Sequence, residues 1–208
     1  MWLFDLDNTL HDASPHIFPH IHRSMREYIE RHLGVDEHEA TRIRLDYWRR
    51  YGATLTGLMR HHGTDPGHFL QETHRFPELE RMVIFERGMQ AMLRRLPGRK
   101  IVFSNAPQHY AEAVLRLAGI RREFDAVYPI ERLRFKPKPA LAGFLHLLRA
   151  EGLEPKRCIM VEDSLDNLIT ARRLGMKTVW VSAGLRRSPH VDVRIARITH
   201  LPAFLGRL

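Results

Sequence analysis

The sequence predicts an α/β fold, a doubly wound parallel sheet with a helical cap inserted after its first strand. Three patterns lead there. Short apolar runs at Trp2-Leu3-Phe4, Ile101-Val102-Phe103, Ala126-Val127-Tyr128, Cys158-Ile159-Met160-Val161 and Thr178-Val179-Trp180-Val181 have the length of buried strands. Beyond residue 87 these runs alternate with helix-like segments, as the crossovers of a parallel sheet require. Between the first run and residue 85 the apolar spacing is helical throughout.

Each element follows from local chemistry. The first strand runs into the polar loop Asp5-Leu6-Asp7-Asn8-Thr9. Ile17, Ile21, Met25, Ile29 and Leu33 then recur every four residues, with Pro15 suited to the first helical turn and Gly34 to the stop. Helices follow at 36–51, 53–62 and 66–74, broken by Gly52, Gly63 and Pro66. Met89, Met92, Leu93 and Leu96 mark a helix closed by Pro97-Gly98, and helices at 108–118, 139–150 and 164–174 separate the later strands. Residues 1–10 and 86–208 are therefore expected to form the core, and 11–85 the cap.

Composition narrows the class. The 208 residues include 33 Lys and Arg against 24 Asp and Glu, a formal charge of +9, and 44% are hydrophobic. That balance excludes a disordered chain, and a single cysteine, Cys158, excludes an internal disulfide framework. Cys158 itself reads as a small buried residue inside its strand. No apolar run approaches the roughly 18–20 residues of a membrane span, and the opening Met1-Trp2-Leu3 enters a strand with no basic leader. A cytoplasmic protein without a membrane partner is the expectation. The positive charge favours anionic partners. The arginine pairs at 49–50, 94–95, 121–122, 172–173 and 186–187 are dispersed without a recognition motif, so no nucleic-acid partner is expected. His16 and His20 have metal-compatible spacing, but Pro19 interrupts that turn, and surface positions are the simpler reading.

The strand ends carry the chemistry. Ligands of open parallel sheets bind beyond the carboxyl ends of the strands. Asp5 and Asp7 follow the first strand, Ser104 and Asn105 the second, and Glu162, Asp163 and Ser164 the fourth, with Phe135-Lys136-Pro137-Lys138-Pro139 near the third crossover. Crowded carboxylates call for a cation, and an all-oxygen set suits Mg²⁺. Asp5 and Asp163 would supply its charge. Two carboxylates two residues apart can divide nucleophilic attack from proton transfer. Lys138 and Ser104 could hold a phosphoryl group.

Asp5-Leu6-Asp7-Asn8-Thr9, Ser104-Asn105, a lysine-proline pair and Val161-Glu162-Asp163-Ser164 together resemble the four ordered motifs of the haloacid dehalogenase superfamily, over nearly the whole chain. The resemblance implies a Rossmann-like core and hydrolysis through an aspartyl-phosphate. Asp5 would be the nucleophile and a Mg²⁺ ligand. Asp7 would be the acid and base, binding the metal through its carbonyl. Ser104 would bind the phosphoryl group with Asn105 beside it. Asp163 would be the distal metal ligand, with Glu162 assisting. Thr9 would support the loop. Relatives often carry a second acid four residues beyond the first of this pair, where this chain has Asn167, with Asp166 one residue earlier. Lys136 and Lys138 both fit the lysine motif. Relatives often place an aromatic residue six positions on, and Phe144 favours Lys138. An acid at Asp7 favours phosphate esters over halides, because a halide leaves without a proton.

In the insertion, Tyr47-Trp48-Arg49-Arg50-Tyr51-Gly52-Ala53-Thr54-Leu55-Thr56-Gly57-Leu58 is similar to the YGxTxxGL region of pyrimidine 5′-nucleotidase-like members. This implies a nucleoside monophosphate substrate such as UMP or CMP, with Tyr51 and Thr54 as candidate substrate contacts and His11 bordering the cap–core cleft. Ile43, Tyr47 and Tyr51 also share one helical face, as core residues would. The alternatives are a sugar-phosphate phosphatase or mutase of the same fold, or a basic nucleic-acid-binding protein on a degenerate core.

Overall fold

Six short strands form one all-parallel sheet: β1 (Trp2–Phe4), β2 (Lys100–Phe103), β3 (Ala126–Tyr128), β4 (Ile159–Glu162), β5 (Lys177–Val181) and β6 (Val193–Ile195). The computed structural model describes residues 1–184 and 187–208. The strand order is β3-β2-β1-β4-β5-β6. β1 sits at the centre, with Leu3 in register with Ile101 on one side and Met160 on the other. Leu3, Phe4, Ile101, Val102, Phe103, Met160, Val161 and Val179 are fully buried, which explains why these strands read as continuous apolar runs. The order reverses at β1, the kind of switch point beyond which open sheets bind ligands.

The helices complete the alternation. In chain order they are α1 (Ile17–Leu33), α2 (Glu37–Tyr51), α3 (Thr54–His62), α4 (Pro66–Thr73), α5 (Leu79–Met82), α6 (Met89–Arg95), α7 (Gln108–Leu117), α8 (Leu141–Ala150) and α9 (Leu165–Arg173). The chain divides into two compact units, Met1–Asp12 with Val83–Leu208, and Ala13–Met82. The sheet and α6–α9 lie in the first and α1–α5 in the second. Residues 11–12 and 83–85, expected in the insertion, belong to the sheet unit, where Asp12 pairs with Ile84 in an antiparallel bridge.

Other boundaries moved for physical reasons. α1 begins at Ile17, so Pro15 lies in the preceding turn. Pro19 occupies the first turn of α1, where a missing N–H removes no intrahelical bond. Cys158 is buried but precedes β4, with Sγ 3.3 Å from the Glu154 carbonyl. Gly34, Gly52 and Gly63 end α1, α2 and α3 in the left-handed region, as helix-stopping glycines do. In the helical unit, Gly57 lets α3 approach α2: a Cβ there would lie 2.2 Å from Cγ of Tyr47. β6 carries exposed Arg194 between two buried residues, a pattern too short to stand out in the sequence.

In four of the arginine pairs one member lies in a surface ion pair, Arg50–Asp46, Arg94–Glu123, Arg121–Glu112 and Arg172–Asp192; Arg186 lies outside the described residues. Among the described residues, no helix is long and apolar enough to cross a membrane.

Candidate active site

Three loops at the carboxyl ends of β1, β2 and β4, with the segment preceding α8, bring the chemistry together. After β1 the chain turns sharply, with Asn8 at φ +61° and Leu10 N–H donating to the Leu6 carbonyl at 2.8 Å. Asparagine tolerates that left-handed conformation better than most residues. The turn holds Asp5 at the sheet edge, its N–H bonded to the Val161 carbonyl at 3.0 Å.

Lys138 is the buried hub. Its ammonium, on a residue only 2% exposed, donates to Asp5 Oδ1 and to Glu162 Oε2, each at 2.7 Å. Burial alone would push its pKa down, but the Asp5 and Glu162 carboxylates override that and raise it, so the ammonium stays charged. It lies 5.1 Å from the centre of the Phe103 ring, and Phe144 packs edge-on against that ring at 4.9 Å. Lys136 is exposed, so Lys138 is the lysine gathered with the acids. Gly143 at the start of α8 makes this approach feasible, because a Cβ there would lie 2.4 Å from the Lys136 carbonyl oxygen.

Asn105 does something the sequence does not suggest. Its Nδ2 donates to the Lys138 carbonyl at 2.9 Å, and its Oδ1 accepts from Lys138 N–H at 2.8 Å. The amide expected beside a phosphate therefore grips the lysine backbone. Ser104 is buried, and its Oγ accepts from Ala106 N–H at 3.0 Å, leaving the hydroxyl proton to donate elsewhere.

Glu162 is saturated. Its Oε1 accepts from the Asp163 and Ser164 N–H groups, both at 3.1 Å, and Oε2 accepts from Lys138 and from Asn167 Nδ2 at 3.0 Å. Burial opposes its ionisation, yet Lys138 and these hydrogen bonds hold its pKa below the usual range. It is a buried counter-ion for Lys138, and Asn167 stands behind it while Asp166 is exposed. The Asp163 loop is braced from β5, where Trp180 Nε1 donates to the Asp163 carbonyl at 2.8 Å.

Asp5, Glu162 and Asp163 are the one group of potential metal ligands found among the described residues, with one oxygen of each within 4.8 Å of the others. Three carboxylates face one ammonium. Burial, then Glu162, pushes Asp5 up to about 8 despite its bond to Lys138. Burial, then Asp5 and Glu162, pushes Asp163 up to about 9. One ammonium cannot balance three carboxylates, so two of them hold protons in the metal-free fold, and hard oxygen donors that a cation can strip of those protons fit a divalent ion such as Mg²⁺.

Asp7 occupies a different environment. Its Oδ1 lies 2.7 Å from the Tyr110 hydroxyl and 2.8 Å from His11 Nε2. Tyr110 is on α7, and its hydroxyl is 3.2 Å from the same His11 nitrogen. His11, expected as a substrate contact, is instead a fully buried ring in the sheet unit, bonded to Asp7 and set against Phe85 at 6.1 Å. Sequence reasoning missed Tyr110 altogether; a buried tyrosine in the first turn of α7 does signal a hydroxyl seeking a partner. Thr9, expected to support the loop, is buried, with no hydrogen bond to Oγ1 among the described residues.

The candidate contacts of the insertion are engaged within the helical unit. Thr54 Oγ1 donates to the Arg44 carbonyl at 3.0 Å, and Tyr51 and Tyr47 hydroxyls lie 2.6 and 2.7 Å from His61 and His62 Nε2. The YGxTxxGL segment is thus the joint between α2 and α3. His20 Nε2 is bonded to the Arg75 carbonyl at 2.9 Å.

The sequence model of the haloacid dehalogenase-like hydrolase family matches residues 2–175. A 5′-nucleotidase of Pseudomonas aeruginosa is 28% identical over 99% of this chain and 92% of its own length. Hexitol phosphatase B of Escherichia coli is 30% identical, over 48% of this chain and 46% of its own. Among solved structures, a HAD phosphatase from Thermococcus onnurineus superimposes with a TM-score of 0.68 at 22% identity, covering 99% of this chain and 97% of that one.

Proposed function

The chain belongs to the haloacid dehalogenase-like hydrolase family, and on that premise we propose that it is a Mg²⁺-dependent phosphomonoesterase of nucleoside 5′-monophosphates. The observation that carries this reading is the unlike treatment of two acids on one loop. Asp5 is held against Lys138, while Asp7 is held by Tyr110 and His11. Environments that differ so sharply suit two different jobs.

Asp5 attacks phosphorus, and the bond from phosphorus to the ester oxygen breaks. Asp7 gives its proton to the departing oxygen, which leaves as an alcohol. A water molecule then loses a proton to Asp7 and attacks the phosphorus of the aspartyl-phosphate, releasing inorganic phosphate and regenerating Asp5. Lys138 and the Ser104 hydroxyl stabilise charge on the phosphoryl oxygens. The carboxylates of Asp5 and Asp163, with the Asp7 carbonyl, would hold Mg²⁺. When bound, the metal supplies positive charge that draws the anionic ester to the anionic nucleophile.

Preference for a nucleoside monophosphate rests on the Pseudomonas 5′-nucleotidase, which aligns over nearly all of both chains. Sugar phosphates are the second reading, supported by the hexitol phosphatase likeness over about half of the chain. Phosphate release from UMP, CMP, AMP, GMP, sorbitol 6-phosphate and fructose 1-phosphate, with and without Mg²⁺, tests both. A preference for nucleotides supports the first reading, a preference for sugar phosphates supports the second, and turnover unaffected by chelation refutes the metal requirement.

A further inference from the structure

Asp163 and Ser164 form the short link between β4 and α9. Side chains hold the peptide groups of this link from two directions. The Asp163 and Ser164 N–H groups donate to Glu162 Oε1, each at 3.1 Å. From β5, Trp180 Nε1 donates to the Asp163 carbonyl at 2.8 Å. The link then enters α9, where the Ser164 carbonyl accepts from Leu168 N–H at 3.2 Å.

Trp180 is placed for this by the sheet. It stands in register with Glu162, so its indole reaches one residue past its own pairing partner to the start of the link. The residue is only 8% exposed, and a buried indole N–H needs an acceptor. Here the acceptor is the backbone of an acid grouped with Asp5 and Glu162. Peptide orientation sets the direction of the Cα–Cβ bond, so a peptide fixed on both sides aims the carboxylate it carries.

We propose that Trp180 is a positioning residue for divalent-cation binding, its indole N–H fixing the Asp163 peptide so that the Asp163 carboxylate is presented to the cation together with Asp5. This rests on the reading of Asp163 as a Mg²⁺ ligand, and adds a residue that itself touches neither metal nor ester. A hydrogen bond that orients a ligand in this way typically costs about 10–100-fold in metal affinity when it is lost.

The test sets hydrogen bonding against packing. Trp180→Phe keeps a large ring and loses the N–H. Trp180→His gives up the larger ring of the indole, yet can place Nε2 where the indole nitrogen stands. Mg²⁺ binding is measured by titration calorimetry on metal-free wild type, both variants and Asp163→Asn, with Tm recorded before metal is added. The Mg²⁺ dependence of p-nitrophenyl phosphate turnover is followed in parallel. Trp180→Phe is expected to bind Mg²⁺ roughly tenfold more weakly than wild type, with kcat recovered at saturating Mg²⁺. Trp180→His should bind Mg²⁺ more tightly than Trp180→Phe although its metal-free Tm is the lower of the two. Wild-type affinity in Trp180→Phe, or affinities that follow Tm across the two variants, overturns the inference. Should Trp180→His not fold, Trp180→Phe decides alone: weakened binding supports the inference, and wild-type binding overturns it. If Asp163→Asn binds Mg²⁺ as tightly as wild type, the assignment of Asp163 fails, and this inference with it.

Discussion

Asn105 and Lys138 exchange two hydrogen bonds, the side-chain amide of one donating to and accepting from the backbone of the other. The clamp aligns the segment that delivers the lysine ammonium to Asp5 and Glu162. Asn105→Ala should therefore lower stability by about 1–3 kcal/mol, from two partly buried backbone groups left unpaired, and should reduce kcat as Lys138 loosens. Urea unfolding together with steady-state kinetics checks both. Unchanged kcat alongside reduced stability would show that the clamp matters to folding alone.

Lys138→Met removes the single cation from a buried cluster of three acids. Breaking a buried ion pair by deleting one partner typically costs about 3–5 kcal/mol. The deficit should be larger at pH 8 than at pH 5.5, because protonation of the stranded acids relieves it. Chemical denaturation of the variant at the two pH values measures this, and equal deficits would contradict the charge account.

Mg²⁺ should stabilise the protein in a pH-dependent way. Asp5 and Asp163 have pKa values raised from 3.8 to about 8 and about 9 by burial and neighbouring acids. In the metal-free fold they retain protons that the unfolded chain has lost above about pH 4. The folded state binds more protons, so this contribution is fully present below about pH 4 and is lost progressively as pH rises from there through 8 to 9. Mg²⁺ competes with those protons. The rise in Tm on adding Mg²⁺ should grow between pH 6 and pH 9, and a flat response across that range would count against these carboxylates as its ligands.

Gly57→Ala tests the joint in the helical unit. A methyl group would strike the Tyr47 ring at 2.2 Å, and overpacking of this kind costs about 1–3 kcal/mol. The expected result is a lowered unfolding midpoint in urea, with the active-site chemistry on p-nitrophenyl phosphate retained in the folded fraction.

Much of this site is legible in the sequence because parallel sheets sort it automatically. Asp5, Ser104 and Glu162 each stand at or directly after a strand's apolar run, so finding the strands locates the residues. Lys138 was separable from Lys136 by the spacing to Phe144, and the structure gives the reason: Phe144 packs on the Phe103 ring over which the lysine lies. The hydrogen bonding was not legible, because it spans long separations. Nothing local in Asn105 says that its amide will meet a backbone 33 residues on, and nothing in Asp7 announces Tyr110. Nor does the sequence around His11, expected to border the cleft, show that its ring will be buried against Asp7 and a tyrosine from α7. Around Tyr51 and Thr54 the segment makes helix packing within its own unit: a tyrosine face, a small glycine and a threonine bonded to a carbonyl of the preceding helix.

The central claim is that Asp5 becomes phosphorylated during turnover. Rapid acid quenching with p-nitrophenyl phosphate and Mg²⁺, followed by mass spectrometry of the peptide that carries Asp5, tests it most directly. A phosphoryl group on Asp5, absent from Asp5→Asn and longer-lived in Asp7→Asn, is the expected result. Full turnover by a folded Asp5→Asn variant, with no phosphoryl group on the peptide at any quench time, would contradict the account.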